Sequence, residues 1–300
     1  RIDGGQMLDK SNKIGTAVLM ASMLNEGTKS KTPAELEEAI GLLGARINIS
    51  GNMENINISG NTLSRNFTST MELITEMITE PRWDKESFEL VKSRRLTNIK
   101  QSNTRAQSIA FRAARKHLYG SGHPNANPVG GTEETVKNIS MQDLKDYFSN
   151  YVSPSVSHLH IVGDIDQQSL APAIKTLNEK WSSKKVTLPD YDQKVSGKPS
   201  KLYFIDMPDA KQSAIVIASK SVKASDPLHY KLEVANNRLG AGSSARLFQT
   251  LRIEKGYTYG AYSGITGNRF PSMFYAYGQV RSNVTLESLE IFRDLIQSYS

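Results

Sequence analysis

The sequence predicts an α+β fold arranged as a tandem duplication, and three observations predict it. Segments of helical period and segments of alternating polarity mix without the strict succession of a doubly wound parallel sheet. A similar order of strands and helices runs through both halves, with no short repeat period. Between the halves lies a polar stretch, 182–200, with two prolines, one glycine and no sustained periodicity. The expected division is therefore a first subdomain over 1–181, a linker over 182–200 and a second subdomain over 201–300.

Element by element, the first helix is predicted over about 13–26, where Ala17, Met20, Met23 and Leu24 recur at helical spacing and Gly27 supplies the stop. Thr32-Pro-Ala-Glu35 reads as a capping box with proline at the first helical position, opening a helix that ends near Gly44. Ala45–Ser50 and Asn55–Ser59 alternate apolar and polar residues around Gly51-Asn52, the pattern of a half-buried antiparallel hairpin. Helices follow over about 68–79, 84–102, 106–118 and 140–150, the last with Ser140 as N-cap and Asp143 in its first turn. Ser157–Gly163 is predicted as a strand and 167–180 as a helix. In the second half, strands are predicted over 201–206, 213–218, 258–265 and 272–280, and helices over 226–239, 244–254 and from about 285. The chain begins at Arg1 without a charged-then-apolar leader and its last helix has no closing strand, which predicts a processed product or fragment, truncated at both ends.

Composition narrows the function. The 300 residues are 38% hydrophobic and 22% charged, ordinary values for a globular chain, and no apolar run approaches the ~18 residues a membrane-spanning helix needs. The formal charge of +7 is scattered, densest at Arg94-Arg95 and Lys184-Lys185, and lacks the aromatic-interleaved stripe of a nucleic-acid binder. With no cysteine, disulfides, thiolate catalysis and thiolate-ligated zinc are excluded. His158 and His160 lie two apart in a predicted strand and could share a metal, but no third ligand is evident. His117, His123 and His229 are isolated and complete no Ser/His/Asp arrangement. Gly240, Gly242 and Ser243 precede a helix without the Gly-Lys-[Ser/Thr] of a phosphate loop.

Two segments carry a family resemblance. Gly15-Thr-Ala-Val-Leu-Met-Ala-Ser-Met-Leu-Asn-Glu-Gly-Thr28 keeps the frame Gly-Leu-Ala-His-Phe-Leu-Glu-His-Met-Leu-Phe-x-Gly-Thr, in which histidines four apart on one helical face share a zinc ion and the glutamate activates the bound water. Leu239–Tyr259 is similar to Gly-Gly-x-x-Ser-Arg-Leu-x-x-x-Leu-Arg-x-x-x-Gly-x-x-Tyr, with Arg252 and Tyr259 at the family's spacing of seven. The scaffold stretches His123–Ser140 and Leu159–Asp164 also match, so that most of the chain resembles the insulinase-like (M16) zinc peptidases.

That resemblance implies two α/β sandwich subdomains with mainly antiparallel sheets, the LuxS/metallohydrolase-like architecture. It also implies a lost metal site. Val18, Ala21 and Ser22 stand at the His, Glu and His positions, and Asn98, in Val91–Ile99, stands where the third ligand, a glutamate, is expected. No zinc is therefore expected on this chain; it is expected in a catalytic partner, an active M16 domain in the same chain or a separate subunit. Arg252 and Tyr259 would then bind the peptide substrate backbone near the scissile bond, where a guanidinium and a phenol can stabilise charge on a carbonyl oxygen. The implied function is a non-catalytic half of a zinc peptidase; the alternatives are a structural subunit like the respiratory-complex core proteins and a peptide-binding module that acts alone. Analogy with bacterial relatives places it in the periplasm or cell envelope, with the mitochondrial matrix or bacterial cytoplasm as alternatives.

Overall fold

The computed structural model describes residues 1–191 and 201–299. In chain order it contains β1 (Ile2–Asp3), α1 (Thr16–Met23), α2 (Pro33–Leu42), β2 (Arg46–Gly51), β3 (Asn55–Asn61), α3 (Phe67–Thr79), α4 (Lys85–Asn103), α5 (Ala106–Tyr119), α6 (Glu133–Lys137), α7 (Met141–Tyr151) and α8 (Gln167–Lys180). After the linker come β4 (Gln212–Lys220), α9 (Leu228–Gly240), α10 (Arg246–Phe248, continuing as a π turn over Gln249–Glu254), β5 (Thr258–Ile265), β6 (Met273–Arg281) and α11 (Thr285–Gln297). Among the described residues the two sheets are each three-stranded and antiparallel, so the α+β prediction with mainly antiparallel sheets holds. Part of the predicted linker, 192–200, lies outside the described residues.

The chain forms two compact units, Arg1–Lys100 with Pro128–Pro189, and Gln101–Asn127 with Asp190–Ser300. This differs from the sequence-based boundaries: Gln101–Asn127, assigned to the first subdomain, packs with the second. The reason is α5, whose Phe111 lies 5.4 Å from the ring centroids of both Tyr275 and Tyr277 on β6.

In the first unit the sheet order is β1-β3-β2. Ile49 pairs with Ile58 and Ile56 with Gly51, placing Ile49 and Ile56 against the inner side of α1, where Ala17, Met20 and Leu24 are buried. Adding a Cβ at Gly51 would bring it within 2.9 Å of the Ala17 carbonyl oxygen and the Val18 Cα, so strand and helix meet backbone to backbone. Just beyond α1, the Asn25 amide accepts from Ile49 N–H at 3.0 Å and donates to Ile49 C=O at 2.8 Å, covering the outer edge of β2 as a neighbouring strand would.

The second unit has sheet order β4-β6-β5. One face carries Ile215, Ala261, Ala276 and Val280 onto α9, α10 and α11, and Phe292 of α11 fills the space left by Gly278. Here too an asparagine reaches the edge strand: Asn236 of α9 donates to Ser263 C=O at 3.0 Å and accepts from Ser263 Oγ. The repeated arrangement of helix, edge strand and asparagine is the structural form of the echo between the halves.

Among the described residues two predicted strands do not form. In 157–163, pairing with another strand is confined, among the described residues, to the Ile2–Ser157 bridge and the mutual Arg1–His158 bonds of 2.8 and 2.9 Å, and Leu159 and Val162 are exposed. Lys201–Asp206 likewise has no ladder among the described residues, and Tyr203 stacks instead on His117, with centroids 3.6 Å apart. Alternating polarity fits a strand, but a strand exists only with a partner backbone. Helix α6, capped by Thr132, was not predicted.

Candidate functional site

Helix α1 is held at its N-terminus by Asp9, whose carboxylate accepts from Gly15 N–H at 2.7 Å and Ala17 N–H at 3.0 Å. Burial nevertheless pushes the Asp9 carboxyl up to about 7, outweighing these backbone hydrogen bonds. Gly131 lies where a Cβ would come within 2.0 Å of the Ile14 carbonyl oxygen, which fixes the approach of the loop after Pro128 to the start of α1. Arg95 of α4 ties the same loop by donating to the Gly130 and Val129 carbonyls.

On this support, the positions expected from the sequence to match the family's zinc ligands hold groups that do not fit the metal. Val18 presents methyl groups. Ala21 has no exposed surface. Ser22, four residues after Val18, donates its hydroxyl to the Val18 carbonyl at 2.9 Å, within its own helix. Asn98 lies on the exposed side of α4, next to the buried Ile99. Zinc takes imidazole, carboxylate or thiolate donors, and a methyl group or a back-bonded serine replaces none of these.

The second unit has a different character. Leu247 and Leu251, both fully buried, anchor α10 and its π turn on the sheet. The wide turn is closed by Lys255 N–H to Thr250 C=O at 3.0 Å and Tyr257 N–H to Leu251 C=O at 2.9 Å, and the chain leaves it through Gly256 at φ +64. Arg252 thereby leans toward the start of β5. Its Nη1 donates to Thr258 C=O at 3.4 Å, and its guanidinium carbon lies 5.0 Å from the centroid of the Tyr259 ring. Tyr259 is 81% exposed, so it does not pack into the sheet. The structure thus brings together the two residues that the sequence paired and presents them at the surface.

Around them, Gly240 abuts Ser263, where a Cβ would come within 2.2 Å of Oγ, and Gln249 donates to Ser243 C=O at 2.7 Å. The glycine-bearing loop is therefore tied to the helix and the strand. One feature escaped sequence reasoning: an extra residue in β5 between Thr258 and Ala261 puts Tyr262 on the same face as Tyr259. The only sequence signal for it is the glycine between them, Gly260.

The histidines do not gather. His158 Nε2 lies 3.5 Å from Asp3 and His160 is exposed; among the described residues no group of three His, Cys, Asp or Glu is arranged to hold a metal ion. His123 is buried among Tyr119, Tyr191 and Phe270, its Nδ1 accepts from Asn125 N–H at 3.1 Å, and burial holds its pKa below the ordinary value. His229 is buried with Nε2 3.4 Å from Glu233.

Residues 1–133 match the family described as insulinase (peptidase family M16), and residues 138–299 match the one described as peptidase M16 inactive domain. The chain is 22% identical over 286 residues to the uncharacterized zinc protease YmxG of Bacillus subtilis, covering 94% of this chain and 68% of that protein. It is also 22% identical over 302 residues to the non-peptidase homolog YmxG of Helicobacter pylori, covering 99% and 68%. A third relative, cytochrome b-c1 complex subunit 1 of Mus musculus, is 22% identical over 169 residues, 56% of this chain and 35% of that one. The fold is similar to the crystal structure of a peptidase M16 inactive domain from Pseudomonas fluorescens, with a TM-score of 0.88 at 22% identity over 99% of this chain and 72% of that chain. With a surface arginine–tyrosine pair in one unit and a helix without metal-binding side chains in the other, the chain belongs to peptidase family M16.

Proposed function

We propose that this chain is the non-catalytic half of a zinc peptidase assembly, pairing with a zinc-bearing M16 domain to enclose and orient peptides. The observation that carries the reading is the Arg252–Tyr259 pair, a half-buried guanidinium over an exposed ring, in a chain whose Val18, Ala21, Ser22 and Asn98 offer no metal site. Among the described residues Arg252 has no carboxylate partner, so guanidinium donors remain for a peptide carbonyl. The partner would supply the zinc and its activated water; this chain would hold the substrate backbone and stabilise charge on the scissile carbonyl. A location in the bacterial periplasm or cell envelope belongs to the same proposal. Among the described residues no helix is long and apolar enough to cross a membrane.

Co-expression with an M16 domain that carries the zinc motif tests the reading through cleavage of quenched fluorescent peptides. Cleavage is expected only in the mixture, with zinc only in the partner. Zinc-dependent cleavage by this chain alone would overturn the proposal. The similarity to a cytochrome b-c1 subunit and to a protein named a non-peptidase homolog favours a second reading, a structural subunit that cleaves nothing. A stable complex with no activity toward any peptide would select that reading.

A further inference from the structure

We infer that the outer face of β5 is a tyrosine shelf on which Tyr262 selects peptides carrying an aromatic side chain beside the segment held by Arg252 and Tyr259; this rests on the peptide-binding reading above. In a regular strand, residues three apart point to opposite faces. Tyr259 and Tyr262 do not. The ladder pairs Thr258 with Val280 and Ala261 with Gly278, so β5 carries one more residue than β6 over this interval. Thr258 and Ala261 both turn into the core, at 5% and 0% exposure, and the bulge leaves Tyr259 and Tyr262 together on the outer face at 81% and 41%. Bulges re-aim side chains in this way beside functional sites.

Gly260 is a second device. A Cβ there would come within 2.6 Å of Tyr262 Cε2 and 2.8 Å of its hydroxyl, so the ring lies over the strand backbone only because the intervening residue has no side chain. The same contact recurs one step along the sheet, where a Cβ on Gly264 would meet the Tyr275 hydroxyl at 2.8 Å. Tyr277 stands opposite Tyr262 in the ladder, against Phe111 of α5, and Phe248 backs the Tyr262 ring with centroids 5.8 Å apart. A tyrosine placed solely for packing would hide its ring and bond its hydroxyl. Tyr262 leaves its ring partly exposed, and its hydroxyl has no hydrogen-bond partner among the described residues. Tyrosine presents a large, rigid contact surface at little entropic cost, and a second aromatic ring gains from offset or edge contact with it.

The test uses two fluorescein-labelled peptides of identical Gly/Ser sequence with a central Phe or a central Ala, titrated into the zinc-stripped complex of this chain with an M16 domain that carries the zinc motif and followed by anisotropy. The Phe peptide is expected to bind about three- to tenfold more tightly. Tyr262→Ala and Gly260→Ala, the latter displacing the ring while keeping the tyrosine, are expected to remove that preference; Tyr262→Phe is expected to retain it, and Arg252→Ala to weaken both peptides alike. If both peptides bind and the Phe/Ala ratio is the same in wild type and in folded Tyr262→Ala, the shelf is overturned while the peptide reading stands. If the wild-type complex binds neither peptide, the peptide-binding reading fails and the shelf with it.

Discussion

Ala21 is packed on all sides, so a glutamate placed at this position would find no room and no water. Ala21→Glu would bury a carboxylate with no cation or metal to pair it and is expected to cost about 3 kcal/mol or more. Thermal denaturation would then read a melting temperature lower by roughly 5–10 °C; an unchanged value would mean that the helix has room the structure does not show. Arg252 and Tyr259 behave differently because they are at the surface. In an assembly with an active partner, Arg252→Ala is expected to lower peptide turnover about a hundredfold, the scale of losing one donor aimed at a developing oxyanion. Tyr259→Phe, which keeps the ring under the guanidinium and removes only the hydroxyl, is expected to cost about tenfold. Zinc content of the complex, measured by atomic absorption, should be unaffected in both variants, which separates a role in substrate handling from one in metal binding.

At the scale of elements, local chemistry was the legible part. Helix α2 begins where Thr32-Pro-Ala-Glu35 predicts, because the signal is self-contained: Thr32 N–H donates to Glu35 at 2.8 Å and Glu35 N–H to Thr32 Oγ1 at 3.3 Å. The same holds for Ser140 and Asp143 at the start of α7. Segments 157–163 and 201–206 read equally well as strands, yet among the described residues neither forms one. Edge protection was equally hidden, since Asn25 and Ile49 are 24 residues apart and meet only after α1 docks on the hairpin. Asn25→Ala is expected to cost about 1–3 kcal/mol by leaving the Ile49 amide groups unpaired. It should also expose the β2 edge to other chains. Denaturant unfolding and size-exclusion chromatography would detect both effects; a variant of wild-type stability that stays equally monodisperse would show that the edge needs no cover.

For the molecule as a whole, the two units are expected to respond to pH with opposite sign. Asp9, raised to about 7 by burial, stabilises the first unit most when protonated; that contribution is complete below the unfolded carboxylate value of about 4 and is lost as pH rises toward 7. His123, held below its ordinary value by burial, acts in the reverse direction: its contribution to the second unit is present above about 6.5 and is lost as pH falls through its lower folded value. Hydrogen exchange read unit by unit between pH 5 and 7.5 is expected to find protection falling with pH in the first and rising in the second, with Asp9→Asn flattening only the first slope. Parallel slopes in both would contradict the assignment. By itself the sequence determined the α+β class, the order of most helices, the absence of metal-binding side chains at Val18, Ala21 and Ser22, and the Arg252–Tyr259 spacing, since each is written in local pattern or residue identity. Only the tertiary structure decided that Gln101–Asn127 packs with the second unit, that a π turn brings Arg252 onto Tyr259, and that a bulge turns Tyr262 to the same face. These depend on which backbones and side chains meet across long sequence separations, and no local periodicity encodes that.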